Sequence, residues 1–415
     1  MNKVSFILLL SFLLTIPVED SLAFSSELSI NRLIGMVAMG VWGILVLTRQ
    51  KIRRVHPFLL CTLLFIVWNL FSVFWTIDRD LTISRIKTYI QLGIMCLMIW
   101  DLVDSKKRLR IAIQAYVVGA YISVFGTIIN FIKGEEAYLY SGGRYVATGF
   151  NANDLAVILA LGLPLAWYLV ISAVENSGKR WLAVINLLYI PTAIFAIFLT
   201  GSRGGFITAM LSIFYILPTV NRMGRKVKIP FSILIIILMI AAVMIIPDST
   251  MQRIMSTFRS GETDYLGGRL QIFADAAGII DQHPWLGIAS GAFKSATRFG
   301  TIAHNTFLSI LSETGIIGFL LFCFILIVAG LEAIKHPRYE ALFWITLMGM
   351  WAIGGSSVSW DYQKPTWLLL TLVVISGELI PIASPRQQAT FTNKIIHIGL
   401  EEQGNLDSPD LSIRS

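Results

Sequence analysis

The sequence predicts an all-α integral membrane protein that crosses the bilayer many times. Hydrophobic residues make up 55% of its 415 residues, charged residues make up 14%, and the mean hydropathy is +0.72. Soluble domains are about half apolar and about a quarter charged. The apolar residues are also gathered into long stretches, and inside lipid a helix satisfies its own backbone hydrogen bonds.

We predict about twelve spans, because a helix of about 20 residues crosses the ~30 Å hydrocarbon layer. The first predicted span follows Lys3 and precedes Ser21-Leu22-Ala23, a pattern that is also typical of a cleavable signal peptide. Its removal would leave the orientation of the other spans unchanged. The predicted spans lie near residues 4–22, 33–48, 57–76, 88–103, 111–132, 154–174, 181–200, 204–220, 229–247, 305–332, 340–358 and 366–383.

Basic residues occur in every second loop between these spans. Cytoplasmic loops carry the positive excess in membrane proteins, so we predict that both termini and the basic loops lie inside. The net charge of +8 follows from the same bias and suits contacts with anionic membrane lipids, and nucleic acid is not an expected partner. The loops rich in Lys and Arg are 49–54, 106–110, 179–180, 222–228 and 335–338.

We predict one transmembrane domain over residues 1–383 and a cytoplasmic tail over 384–415. The tail is polar and lacks periodicity, which is typical of disorder. Two outer segments, 133–153 and 248–303, are too long for simple turns, and loops of that length in compact proteins are usually functional. The longer segment contains an amphipathic pattern at 251–259 and a second short helical pattern that begins at Arg269.

Three basic residues, Arg203, Arg269 and His304, fall on the predicted outer side, against the usual charge bias. Arg203 lies in a cramped turn, where glycines admit a ligand to the backbone N–H groups and the guanidinium suits phosphate oxygens. A tight turn whose arginine reaches lipid head groups has the same pattern. Arg269 begins a helix and adds its charge to the helix N-terminus, although a solvated surface residue is the alternative. Together they indicate that this side handles an anion.

His304 stands at the outer end of the span predicted near 305–332. At helical spacing it shares a face with Gly315 and Gly318, and such glycines let a neighbouring helix approach closely. A neutral imidazole at this boundary can accept a proton from an attacking hydroxyl near neutral pH. The alternative is a histidine that only hydrogen-bonds the loop.

One further pattern, Asp78-Arg79-Asp80, has the spacing of two carboxylates that hold a divalent cation. The intervening charge and the lack of further acidic ligands nearby favour a solvated turn. We therefore expect no metal and no cofactor.

Four motifs follow one another between about Arg144 and Gly318. As a set they resemble the O-antigen ligase and O-antigen polymerase superfamily of membrane glycosyltransferases. The motifs are Gly201-Ser202-Arg203-Gly204-Gly205, Gly268-Arg269-Leu270-Gln271-Ile272-Phe273, the segment from His283-Pro284-Trp285-Leu286-Gly287 to Gly291-Ala292-Phe293, and His304-Asn305 followed by Gly315-Ile316-Ile317-Gly318.

The resemblance implies a fold of the GT-C type in the bacterial inner membrane, with a periplasmic cavity that holds an undecaprenyl-pyrophosphate-linked glycan. In such enzymes an arginine pair grips the pyrophosphate, and a histidine helps to activate the acceptor hydroxyl. By position, Arg203 and Arg269 are the predicted clamp and His304 the predicted base. The expected reaction is one inverting displacement.

Three further residues are candidates for substrate binding. Arg144 belongs to a segment that is similar to the family's pattern before its sixth span, and it either supports anion binding or holds the loop. Asn153 either caps the following helix or contacts the ligand, and capping is favoured. Asp361 lies in the last outer loop among aromatic residues of the kind that stack on sugars, although aromatic belts at membrane interfaces need no sugar.

The acceptor stays open at this point. Lipid A-core would make the protein an O-antigen ligase, and a growing glycan would make it an O-antigen or exopolysaccharide polymerase. A protein acceptor is disfavoured because the chain has no extra soluble domain. A transporter of lipid-linked glycans is the alternative from another class, but the embedded acids Glu313 and Glu378 lie towards the ends of their spans, whereas transporters place such groups near the midplane.

Overall fold

The computed structural model describes residues 2–25, 28–137, 143–175, 180–224, 228–229, 233, 237, 252 and 269–380. In these ranges the regular structure is helical, apart from one isolated bridge between Ala23 and Ser29. The described residues up to Glu378 form one compact unit. The predicted tail, 384–415, lies outside the described residues.

The α-helices of the described ranges are numbered in chain order. Their bounds are α1 Asn2–Thr15, α2 Ile30–Arg49, α3 Pro57–Phe71, α4 Arg79–Leu102, α5 Lys106–Lys133, α6 Ala152–Glu175, α7 Arg180–Thr200, α8 Arg203–Leu211, α9 Ile213–Thr219, α10 Arg269–Gln282, α11 Phe293–Ala296, α12 Thr306–Ile334, α13 Arg338–Gly355 and α14 Lys364–Glu378, with 3₁₀ turns at Ile16–Val18, Asp20–Leu22, Ser72–Phe74 and Val220–Arg222.

Seven segments in the described part of the chain are long and apolar enough to cross a membrane: Ile30–Arg49, Pro57–Phe74, Lys106–Lys133, Ala152–Glu175, Arg180–Thr200, Arg203–Arg222 and Thr306–Ile334. Each coincides with a predicted span. Four other predicted spans coincide with α1, α4, α13 and α14, which are not among these seven, and 229–247 lies almost entirely outside the described residues. An all-helical chain with several membrane spans is therefore supported, and the number of about twelve stays a prediction.

Helix α6 lies at the centre of the bundle. Of its most apolar 18-residue window, 83% is buried, and it packs against α5, α7, α8 and α13. An apolar surface suits lipid as well as a protein interior, so it is this burial that places α6 among the other helices.

Helix α1 is an integral part of the same bundle. Asn31 Nδ2 donates hydrogen bonds to Phe12 O at 3.1 Å and to Thr15 Oγ1 at 2.8 Å. A Cβ on Gly119 of α5 would lie 1.9 Å from Leu14 O, so only glycine allows this approach. The predicted first span therefore contributes packing that the rest of the bundle uses.

Helix α12 is interrupted at Gly315, which has φ 65° and ψ −173°. The outer segment after α10 fills the break: Ile316 N donates to Pro284 O at 2.8 Å, and Ile288 N donates to Ser312 O at 3.1 Å. The inserted chain thus satisfies backbone groups that the break releases. The prediction of a continuous helix through Gly315 is wrong, because these hydrogen bonds come from a segment remote in sequence.

Loops predicted on one side of the membrane contact one another. At one end, His56 Nε2 lies 3.2 Å from Glu332 Oε1, and Lys335 Nζ lies 2.6 Å from the same oxygen. At the predicted outer end, Ser21 Oγ donates to Thr148 O at 2.6 Å. The residues that the sequence predicts to be functional belong to loops and helix ends on this predicted outer side.

Candidate functional site

The start of α6 and the turn between α7 and α8 share a buried polar network. Arg144 is 2% exposed, its Nε donates to Thr200 O at 2.7 Å, and its Nη2 donates to Asn153 Oδ1 at 3.2 Å. Ser202 Oγ donates to the same Asn153 oxygen at 2.9 Å. Arg144 therefore fixes the turn that precedes Arg203. The capping role expected of Asn153 is wrong, since Asn151 Oδ1 accepts its N–H at 2.8 Å and Asn153 uses its own oxygen in the network.

Arg203 is the first residue of α8 and is half-buried. Ser202 caps the helix by accepting a hydrogen bond from Gly205 N at 3.2 Å. The two glycines after Arg203 serve packing: a Cβ on Gly204 would lie 2.5 Å from Ser357 Oγ, and one on Gly205 would lie 2.2 Å from Ala156 Cβ. The expectation that they present N–H groups to a ligand is wrong for Gly205, because its N–H is used by the cap. The tight turn itself is confirmed.

His304 and Arg269 are close enough to interact electrostatically. Arg269 is the first residue of α10, and His304 precedes Asn305, which caps α12 by accepting from Phe307 N at 2.9 Å and Leu308 N at 3.1 Å. Burial and the nearby Arg269 guanidinium lower the pKa of His304 to about 4. The imidazole is therefore neutral at pH 7, but its conjugate acid gives up the proton readily, which makes it a weak base.

The predicted shared face of His304, Gly315 and Gly318 is not formed. His304 has φ 50° and lies before the helix, and the break at Gly315 interrupts the helical spacing. A Cβ on Gly315 would meet Trp285 O, whereas one on Gly318 would come within 2.9 Å of Trp68 Cδ1. Gly315 and Gly318 therefore contact different parts of the chain and do not form one face with His304.

The first turn of α6 connects the surroundings of both arginines. Asn153 bonds Ser202, which precedes Arg203, and the next residue, Asp154, interacts electrostatically with Arg269. Asp154 Oδ1 also accepts a hydrogen bond from Trp360 Nε1 at 2.7 Å. The hydrogen bond from Trp360 therefore fixes the Asp154 carboxylate, which interacts with Arg269 electrostatically.

Asp361 is 1% exposed and belongs to a buried cluster. Its Oδ2 lies 3.2 Å from Arg85 Nη1 and accepts from Tyr89 OH at 2.7 Å. Arg85 Nη1 is also 3.5 Å from Glu313 Oε2, and its guanidinium stacks 3.6 Å from the ring centroid of Tyr362. The structure therefore places Asp361 in an ion pair that anchors the last outer loop.

Sequence reasoning missed Arg85 and Asp154. Arg85 stands in a polar, partly charged half of α4, which resembles a solvated helix end when it is seen alone. Asp154 directly follows Asn153, a predicted substrate-binding residue, so the position of its carboxylate next to Asn153 was the available sequence signal. Their partners, Asp361 and Trp360, come more than 200 residues later.

A metal-binding arrangement is not supported by the described ranges, which contain no cluster of three or more His, Cys, Asp or Glu side chains suited to an ion. Asp78 instead caps α4 by accepting from Leu81 N at 3.1 Å, and its other oxygen accepts from Ser295 Oγ at 2.5 Å. These hydrogen bonds lower the pKa of Asp78, as expected for a carboxylate that accepts them while ionised.

Residues 188–323 match the sequence model of a family described as O-antigen ligase. The matched range contains Arg203, Arg269 and His304, whereas Arg144, Asn153 and Asp361 lie outside it. A comparison with curated proteins finds no match. The predicted resemblance to the O-antigen ligase superfamily is confirmed by the family match.

Proposed function

We propose that this protein, whose residues 188–323 match the O-antigen ligase family, is a metal-independent, inverting glycosyltransferase of the bacterial inner membrane that works on its periplasmic face. The donor is a glycan linked to undecaprenyl pyrophosphate. The acceptor is a saccharide, either lipid A-core or a growing polysaccharide. The same chemistry with the second acceptor is that of a polymerase.

The observation that carries this proposal is the grouping of Arg269, His304 and Asp154 at the start of α6, next to the turn that precedes Arg203. Arg269 interacts electrostatically with both His304 and Asp154, and Asn153 bonds the turn. A cationic site at the ends of several helices suits an anionic group, because helix N-termini add positive charge.

In the proposed reaction, an acceptor hydroxyl attacks the anomeric carbon of the donor sugar. The bond from that carbon to the diphosphate oxygen breaks, and its electron pair leaves with undecaprenyl pyrophosphate. Arg203 and Arg269 stabilise the charge that develops on the leaving group, which is where preorganised donors have their largest effect. Attack from the opposite face inverts the anomeric configuration.

His304 takes the proton that the acceptor hydroxyl loses as it attacks. Its ring is neutral at pH 7 and is therefore able to accept this proton. Arg144 and Asn153 are positioning residues in this proposal, because they hydrogen-bond the turn before Arg203. Asp361 supports the last outer loop through Arg85.

The test uses purified protein in nanodiscs with the lipid-linked glycan extracted from cells, together with lipid A-core or a glycan acceptor. We expect Arg203→Gln and Arg269→Gln to lose about 100-fold or more in kcat, the size of effect seen when one transition-state donor is removed. Arg298→Gln is the matched control on the same outer segment, because its side chain is 87% exposed.

Three outcomes would contradict the proposal. If both arginine variants retained the activity of Arg298→Gln, a role of Arg203 and Arg269 in binding the pyrophosphate would be excluded. Loss of activity on addition of a chelator would exclude a metal-independent reaction. A product whose new linkage keeps the donor's anomeric configuration, as read by NMR, would exclude a single displacement.

A further inference from the structure

A cavity of about 360 Å³ lies between α1, α2 and α4, and the proposed reaction does not use it. Its wall on α4 extends from Leu81 to Met95, a length of about 21 Å at the helical rise per residue. One leaflet supplies half of the ~30 Å hydrocarbon layer. The cavity therefore reaches from the predicted outer end to about the middle of the membrane. Arg203, Arg269 and His304 do not line it, so it is distinct from the candidate site.

The cavity opens sideways between α2 and α4. Met36 lines its wall and is nevertheless 52% exposed, and it belongs to the apolar segment Ile30–Arg49, which is long enough to cross a membrane. Gln91, on the α4 side of the wall, is exposed as well. In a membrane both side chains meet lipid. A lipid molecule can therefore enter this cavity without leaving the bilayer.

Helix α4 directs a stripe of polar side chains into the cavity. Ser84, Thr88 and Gln91 are spaced by four and then three residues, which places them on one face of the helix. Within the described ranges, the side chains of Ser84 and Gln91 form no hydrogen bond, and neither does that of Gln363, which lines the cavity from the last outer loop. Polar groups removed from water are costly unless they have a partner. The stripe therefore indicates a ligand with polar atoms of its own.

The charged groups on the cavity wall are three cations and one acid. Arg32 and Lys364 share the acid, because Arg32 Nε lies 3.8 Å from Glu19 Oε1 and Lys364 pairs with the same oxygen. Asp20 interacts with both of these cations but does not line the cavity. Arg85 is the third cation, and the two acids that it pairs with are buried and lie outside the wall. A surface of this kind suits the oxygens of a phosphate group.

We propose that this cavity binds one glycerophospholipid of the outer leaflet, with its phosphate beside Arg32 and Lys364. Such a lipid has polar atoms at two depths. The phosphate suits the guanidinium and ammonium groups at the outer end, and the ester carbonyls, which lie deeper, suit the donors of the α4 stripe. One acyl chain then extends along Met39, Leu92 and Met95 at the inner end.

The size of the cavity favours a phospholipid over the donor lipid of the proposed reaction. A polyprenyl chain is much longer than one leaflet is deep, whereas an acyl chain of a phospholipid spans one leaflet. The lipid would also support the last outer loop, because Tyr362, Gln363 and Lys364 all line the cavity. The inference does not depend on glycosyl transfer.

The test is native mass spectrometry of the full-length protein, first stripped of lipid in detergent and then titrated with phosphatidylethanolamine or phosphatidylglycerol. We expect one phospholipid per chain to bind more tightly than all others. Met39→Trp fills the inner end of the cavity and should abolish this binding. Val37→Trp is the control on the same helix, because Val37 is 54% exposed and does not line the cavity.

A second pair of variants tests the phosphate contact without filling the cavity, and it decides the question if Met39→Trp does not fold. Arg32→Gln should raise the Kd at least about 10-fold, as expected when a charged hydrogen-bond donor is lost. Arg79→Gln is its control, because Arg79 is an exposed cation at the start of α4 that does not line the cavity.

Two kinds of result would overturn the inference. One is equal phospholipid binding by folded Met39→Trp and Val37→Trp, or an equal Kd for Arg32→Gln and Arg79→Gln. The other is the identity of the lipid that copurifies with the wild-type protein, read from its mass. A glycerophospholipid supports the site, whereas a polyprenyl phosphate or a lipid without phosphate in its place would contradict it. Each of these results leaves the proposed glycosyl transfer untouched.

Discussion

Substitution of Gly315 by alanine is expected to destabilise the protein strongly. Gly315 has φ 65° and ψ −173°, a region that is essentially restricted to glycine and costs other residues about 1–3 kcal/mol. An added Cβ would lie 2.2 Å from Trp285 O and 2.3 Å from Trp285 C, and these are backbone atoms that cannot rotate away. Overpacking of this kind adds about 1–3 kcal/mol. The expected loss is therefore about 2–6 kcal/mol, the sum of these two ranges.

The assay is thermal unfolding of the purified protein in detergent, followed by the fraction that remains monodisperse after heating. Gly330→Ala in the same helix is the control, because the nearest atom to its added Cβ is Met348 Cε at 4.0 Å. Alanine at this ordinary helical position should be neutral or stabilise by up to about 1 kcal/mol. Equal midpoints for Gly315→Ala and Gly330→Ala would show that the segment around Trp285 does not occupy the break in α12.

Three further predictions concern the outer end of the bundle. Asp361→Asn should cost about 1.5–3 kcal/mol of stability, measured as a lower unfolding midpoint, because Arg85 loses its charged hydrogen-bond partner Asp361 but keeps Glu313. Trp360→Phe removes the hydrogen bond to Asp154 and should cost about 1.5–3 kcal/mol, with most of the loss absent when Asp154→Leu is already present in a double-mutant cycle. His304 has a folded pKa of about 4, below its unfolded value, so wild-type stability should fall as the pH drops from about 6.5 to about 4. His304→Asn, which tolerates the positive φ, should lose less stability over that interval, and parallel pH profiles of the two midpoints would refute the assignment.

The helices were largely predictable from the sequence, because a long apolar stretch has few alternatives in lipid. The turn before Arg203 was predictable for a related reason: α7 and α8 follow each other with only Gly201 and Ser202 between them. The start of α10 at Arg269 also agrees with the predicted helical pattern. In each case the information is local, and a single window of sequence contains it.

The insertion into α12 was not predictable, because its hydrogen bonds join backbone groups that carry no residue-specific signal. Ile316 N bonds Pro284 O, and nothing in either side chain requires this. Gly315 was visible in its motif, yet its role was misread. A Cβ on Gly315 would meet the backbone of Trp285, and one on Gly287 would meet the backbone of Glu313, a contact that in sequence looks the same as a close approach between helices. The ion pair of Arg85 with Asp361 was hidden for another reason, since two charges at opposite ends of the chain form no pattern.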